Sequence, residues 1–148
     1  MKLIKYVMND GGRADSGYKG RVGDCVLRSI VIASGKNYKE VRKELMDRVR
    51  SKKCKSASVF KGVSKKVYHD YIISLGFEWT PTMTIGSGCK VHLKEDELPS
   101  GNLIVRLSKH LTAVIDGVVN DIYDPNYKVD LDGNPQARCV YGYYRKVT

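Results

Sequence analysis

The chain has 148 residues, 42% of them hydrophobic and 28% charged, with 26 Lys and Arg against 16 Asp and Glu for a net charge of +10. This length suits one domain that buries about two-thirds of its unfolded surface, so neither wholesale disorder nor a need for covalent staples is expected. No apolar run approaches the ~20 residues that cross a bilayer, which excludes a helical membrane anchor within the sequence. The start, Met1 to Met8, is too short and too broken by lysine for a secretory signal. The four cysteines, Cys25, Cys54, Cys89 and Cys139, share no spacing. They are expected as free thiols in a reducing cytoplasm.

Residues 2–8 alternate well enough to predict a short strand, and residues 9–23 are too rich in glycine for regular structure. Asp24 is placed to cap a helix over 25–34, in which Val26, Leu27, Ile30, Val31 and Ile32 predict burial and Gly35 closes the last turn. Asn37 and Glu40 form a capping pair for a second helix, with Tyr38, Val41, Leu45 and Val49 at helical spacing. Ser64 starts a third, with Val67, Tyr68, Tyr71, Ile72 and Leu75 on one side and Gly76 as its stop. From Phe77 the texture turns to β. Residues 103–107 read as a strand, 110–115 as the next, and 118–123 as its hairpin partner across Asp116-Gly117. Residues 138–145 read as a last strand. The order predicts a single α+β domain over 1–148, a helical half about 24–76 packed on an antiparallel β half about 77–148.

The charge is concentrated. Between Lys36 and Lys66 stand 12 basic residues and only Glu40, Glu44 and Asp47, a local excess of +9. Such clustering points to an acidic protein partner or to weak, nonspecific polyanion binding, with Arg48, Arg50, Lys52 and Lys53 as the contact residues. No helix-turn-helix or zinc-finger pattern accompanies it, so sequence-specific DNA reading is not expected.

Cys25 opens a buried helix directly after Gly-Asp. Unpaired N–H groups and the positive dipole end favour thiolate over thiol there, and the same N–H groups suit an oxyanion forming beside the sulfur. Cys54 lies in a basic loop without an orienting scaffold, and Cys139 reads as a core residue. A thiolate nucleophile needs a base. His69 lies mid-helix, where a structural duty is expected, and His92 follows Cys89 by three without the second ligand pair that zinc requires. No metal or cofactor is therefore predicted. His110 opens a strand after the short turn Ser108-Lys109, where its ring is held by rigid backbone. If Asp116-Gly117 is a two-residue turn, residue 115 faces 118, and Thr112 and Asp121 face each other on the side of His110. A register shifted by one residue brings Asp124 across instead. Asp121 is favoured as the group that orients the ring, and Asp124 stays open.

A helix beginning Gly-Asp-Cys-Val-Leu-Arg-Ser-Ile, followed much later by His-Leu-Thr-Ala-Val-Ile-Asp-Gly and an Asp near the end of the returning strand, resembles the papain-like cysteine peptidase superfamily. Residues 9–13, 23–35 and 98–143 look closest to small bacteriophage proteins of that fold. The resemblance covers about half the chain and leaves the basic helical middle outside it. It implies a nucleophile at Cys25, a base at His110 and an orienting Asp at 121 or 124. The family usually sets a glutamine shortly before the cysteine to complete the oxyanion hole, but the one glutamine here is Gln136. That duty falls to the Cys25 backbone, with Asn9 or Arg21 as side-chain candidates. The Gly-Ser-Cys-Trp signature of papain itself is absent.

The same layout serves peptidases, isopeptidases, transglutaminases, deamidases and acyltransferases, which share a thioester intermediate. The leading expectation is a narrow-specificity thiol enzyme of a bacteriophage, acting on a protein substrate or host target. The alternative is a non-catalytic binding module on the same fold, a phage inhibitor of a host factor or a nonspecific nucleic-acid binder through 36–66.

Overall fold

In the computed structural model the described residues are 4–18, 24–51, 63–84 and 86–147. Strand β1 (Lys5–Met8) precedes three helices, α1 (Cys25–Ser34), α2 (Tyr38–Ser51) and α3 (Lys65–Ser74). Strands β2 (Phe77–Pro81), β3 (Asn102–Leu107), β4 (His110–Ile115), β5 (Val118–Asp121) and β6 (Gly142–Lys146) follow, with a short 3-10 turn at Glu95–Glu97. The architecture is α+β, with a six-stranded sheet in the order β1-β5-β4-β3-β6-β2.

The sheet is mixed, which corrects the expectation of a wholly antiparallel one. β1 pairs parallel with β5, while every other neighbouring pair is antiparallel. The strand from before the helices reaches that edge only by a long crossover, which α1 to α3 and three further strands, β2 to β4, supply. Two expected strands are also shorter. β5 stops at Asp121, before Pro125, and β6 starts at Gly142, because residues 138–140 turn aside to pair with 91–93.

α1 is apolar almost all round, and Leu27, Ile30 and Ala33 are completely buried. A helix of that kind has to lie in the middle of the molecule. It lies against β3 and β4 on one side and α2 on another, and Gly35 ends it at φ 77° in the left-handed region. Asn37 Oδ1 accepts from the amides of Lys39 and Glu40 at 2.9 and 3.4 Å to start α2. Ser64 Oγ accepts from the Val67 amide at 3.4 Å to start α3. Val41, Leu45 and Val49 join Tyr68, Tyr71 and Ile72 in the main core, into which the sheet sends Ile104, Leu111 and Tyr144. A second core, with Leu103, Val105, Leu107, Val114 and Val119, is closed by Ile4, Leu93 and Val140. His69 does structural duty: its Nδ1 meets the Tyr144 hydroxyl at 2.8 Å.

Cys89 and Cys139 are joined in a disulfide, which corrects two expectations: that all thiols are free, and that Cys139 is a plain core residue. Backbone pairing prepares the bond. Leu93 N donates to Arg138 O and Val140 N donates to Val91 O, both at 2.8 Å, and His92 bridges Cys139. These contacts set the two Cα atoms 5.8 Å apart, a span that suits a disulfide. The cysteine argument for a reducing compartment falls with it. Among the described residues Cys25 is the free cysteine, and no helix is long and apolar enough to cross a membrane.

Two outcomes check this fold. Alkylation in guanidinium before and after reduction should differ by two labels, mapping to Cys89 and Cys139; four labels without reductant would remove the bond. A Cβ at Gly142 would overlap the Trp79 ring and stand 2.9 Å from the Thr80 carbonyl oxygen. Gly142→Ala should therefore cost about 1–3 kcal/mol in urea unfolding, the usual range for overpacking.

Candidate active site

Cys25 stands at the first position of α1, where the amides of the first turn lack intrahelical partners. The turn at Ser108 and Lys109, with Lys109 at φ 55°, makes His110 the first residue of β4 and pairs it with Leu107. The imidazole is therefore carried on hydrogen-bonded sheet and is 7% exposed. Its ring leans on Tyr123, with centroids 5.3 Å apart.

Asp116 and Gly117 both take positive φ, 46° and 80°, as a two-residue type I′ turn requires. Ile115 then faces Val118 and Ala113 faces Asn120, the unshifted register. In that register Asp121 meets the histidine. Its Oδ2 accepts from His110 Nε2 and from Thr112 Oγ1, each at 2.7 Å. Its Oδ1 accepts from the Ile122 amide at 2.8 Å and lies 3.6 Å from Arg28 Nη2. Asp124 is engaged elsewhere, its Oδ1 accepting from the Asn126 amide at 2.9 Å. With Nε2 bound to Asp121, Nδ1 is the ring nitrogen left to face Cys25.

The thiol, the ring and the carboxylate perturb one another. Burial pushes the Cys25 thiol up, but the hydrogen bond to His110, the Leu111 amide and the charges of His110 and Arg28 outweigh it and hold the thiol below its ordinary value. Burial likewise pushes His110 down, yet its bonds to Asp121 and Cys25 win and raise it to about 8. Burial of Asp121 is outweighed by His110, Thr112 and the Ile122 amide, which hold the carboxyl below its usual range. The shifts of the three groups all run toward thiolate, imidazolium and carboxylate, and the three titrate as one coupled set.

The structure parts with the expectation for Asp24. It occupies the N-cap position of α1 without capping through its side chain. The carboxylate is completely buried instead. One oxygen is bonded to Arg28, and the other accepts from the Tyr38 hydroxyl at 2.8 Å and lies 3.8 Å from Arg13. Burial, with the Asp24 carboxylate beside it, pushes the Tyr38 hydroxyl up to about 12. Arg28 thus spans from Asp24, one turn before it on the helix, to Asp121 on the sheet. Sequence reasoning passed over Arg28, Thr112, Arg13 and Tyr38 as site-supporting groups. The available signal was an arginine in an otherwise apolar helix, four residues after an aspartate.

The remaining candidates make other contacts, are exposed, or lie outside the described residues. Asn9 commits its side-chain amide to β5: its Nδ2 donates to Asn120 Oδ1 at 3.1 Å, and its Oδ1 accepts from the Gly11 amide at 2.9 Å. Arg48 donates to Ser74 Oγ at 3.3 Å and stacks over the Tyr71 ring, at the end of α3 remote from the site. Arg50 is exposed on the same helix as Arg48. Arg21, Lys52, Lys53 and Cys54 lie outside the described residues. His92 pairs with Glu97 at 3.2 Å, and Cys89 is spent in the disulfide. Among the described residues no group of three or more His, Cys, Asp or Glu gathers as a metal site.

Cys25 and His110 open into a hollow of about 290 Å³ walled by Tyr68, Leu107, Leu111 and Tyr141. The arrangement offers a half-buried thiol held below its ordinary pKa, a proton carrier held in one orientation, and open volume beside both. No family model, curated protein or solved structure matches the chain.

The Asp24 network sets an expected energy. Removing a capping side chain costs about 1 kcal/mol, whereas removing one partner of a buried charge network costs about 3–5 kcal/mol. Asp24→Ala should show the larger loss in urea unfolding. A loss near the smaller figure would return Asp24 to a capping role.

Proposed function

We propose that this chain is a thiol-dependent acyl-transfer enzyme of papain-like architecture, a narrow-specificity cysteine peptidase or isopeptidase of a bacteriophage acting on a protein. What supports the reading is one set of neighbours: His110 is hydrogen-bonded to the Cys25 thiol, and its Nε2 is held by Asp121 at 2.7 Å. Cys25 thiolate attacks the substrate carbonyl carbon, and the electron pair of the C=O bond moves onto oxygen. The Cys25 N–H at the positive end of α1 stabilises that oxyanion. His110 imidazolium gives its proton to the departing amine as the C–N bond breaks, leaving a thioester. Neutral His110 then takes a proton from water, which attacks the thioester and frees the acid and the thiolate. Asp121 keeps the ring oriented throughout.

The second reading, a non-catalytic binding module of the same fold, is favoured by one observation. Asn9, the described side-chain candidate for the oxyanion, gives its amide to Asn120 instead.

Iodoacetamide separates the readings. Below pH 7 it should alkylate Cys25 before Cys54, as followed by peptide mass mapping. His110→Asn removes the hydrogen bond and charge of the ring and leaves burial, which raises the thiol, opposed only by the Leu111 amide and Arg28. The inflection of rate against pH should therefore move up, with a fall of at least ~10-fold at pH 6. Asp121→Asn should draw the His110 inflection down from about 8 toward 6.5. Equal labelling of Cys25 and Cys54, insensitive to His110, would leave the enzyme without its nucleophile.

A further inference from the structure

Three adjoining hollows run through the site. The one at Cys25 shares Lys109, His110 and Tyr141 with a neighbour of about 500 Å³, and Lys65, Arg106 and Tyr141 with another of about 360 Å³. Together they make one groove with Cys25 and His110 near its middle. Its described walls carry five cations, Lys65, Arg106, Lys109, Lys128 and Arg138, and no aspartate or glutamate. None of the five is ion-paired with a described carboxylate. Asp121, the acid nearest the thiol, is 3% exposed and spent on His110, Thr112 and the Ile122 amide. Two of the cations are already held in place. Arg138 Nη2 donates to Ser108 O at 2.6 Å, and the Arg106 guanidinium lies over the Tyr141 ring at 6.0 Å.

We infer, resting on the thiol-enzyme reading above, that the substrate is an acidic protein segment, with aspartate or glutamate on both sides of the bond attacked. His110 must face the amine to which it returns a proton, so the departing segment lies along Lys109, Lys128 and Arg138. The acyl segment lies along Lys65 and Arg106. Tyr123 and Tyr127, with centroids 6.1 Å apart, wall the departing side, and Tyr127 is 64% exposed. The attraction is strongest where the cations are fixed before binding, because little side-chain entropy is then lost. The substrate-contact role expected for Arg48, Arg50, Lys52 and Lys53 passes to this groove. Of the basic stretch 36–66, Lys65 is the described member that lines it.

The test uses a fluorescein-labelled peptide, Glu-Glu-Asp-Gly-Gly-Asp-Glu-Glu, and a counterpart with lysine at every acidic position, both read by anisotropy on the full chain. The acidic peptide should bind at least ten-fold more tightly and weaken steeply with salt. At saturation it should slow iodoacetamide alkylation of Cys25 at least five-fold. Arg106→Gln with Arg138→Gln should cut its affinity at least ten-fold. Lys65→Gln with Lys128→Gln, at two exposed positions, should shift it in the same direction without disturbing a folded contact. Equal affinity for the two peptides, or binding that leaves Cys25 unprotected, would overturn the inference. Equal weakening by Arg48→Gln with Arg50→Gln would move the acid-binding face to α2 and overturn it too. Charge-selective binding in the groove beside a Cys25 no more reactive than Cys54 would instead overturn the enzyme reading and leave the groove's selectivity standing.

Discussion

The carboxylate of Asp121 is the group on which the site's geometry turns. Four donors from three elements converge on its two oxygens: His110 and Thr112 from β4, the Ile122 amide beside it, and Arg28 from α1. A buried carboxylate without such partners would take up a proton, and a neutral acid would hold neither the ring nor the guanidinium. Because each donor is carried on hydrogen-bonded backbone, the position of the carboxylate follows from the pairing of β4 with β5 and the packing of α1 across them. The site is a consequence of sheet register.

Arg28 extends this constraint into the helical layer. It is buried in an apolar helix and bonded at once to Asp24 and, more loosely, to Asp121. Asp24 in turn holds Tyr38 at the start of α2, and Tyr38 accepts from Arg13 at 2.8 Å. The sign of charge therefore alternates from the loop at Arg13, through Asp24 and Arg28, to Asp121 and His110. Replacing any one member leaves its neighbours buried with an uncompensated charge, which costs more than the member's own contacts suggest. That alternation also explains why Asp24 does not cap α1. Its oxygens are drawn to two guanidinium groups and a hydroxyl in the interior, and bonds to charged donors are the stronger ones.

What was legible in the sequence was local. The bounds of α1, the Asn37 and Ser64 starts, and the pairing across Asp116-Gly117 all follow from side chains within a few residues of the feature they control. So does the placing of Asp121 beside His110, since a two-residue turn and a period of two leave one register. The parallel pairing of β1 was not legible, because Lys5 and Val118 are joined only through the packed helices between them. The Cys89–Cys139 bond was hidden for the same reason: it spans 50 residues and depends on the backbone pairing of 91–93 with 138–140, which no spacing announces. The run from Lys36 to Lys66 is conspicuous in one dimension, and within it Arg48 turns toward Ser74 and Tyr71. The cations lining the hollows around the thiol, at 65, 106, 109, 128 and 138, are scattered along the chain, so no local run announces them.

Stability and reactivity share one electrostatic arrangement, and the signs can be followed through. The folded His110 is raised from 6.5 to about 8, so the stability it contributes is fully present below about 6.5 and is lost as pH rises through about 8. The folded Asp121 is lowered from 3.8, so its contribution is present above that value and is lost as pH falls through the lower folded one. Between these limits the carboxylate and the imidazolium stabilise the fold together. The same imidazolium, by its charge and hydrogen bond, also holds the Cys25 thiol below its ordinary value of 9.0. The His110 charge that lowers the thiol is thus the one that fastens β4 to β5, and the five cations around the hollows add a positive field on the open side. The interior fixes the imidazole beside Cys25 through a few buried charges of alternating sign. The surface beside it carries one sign only, which suits attraction of a substrate rather than internal pairing.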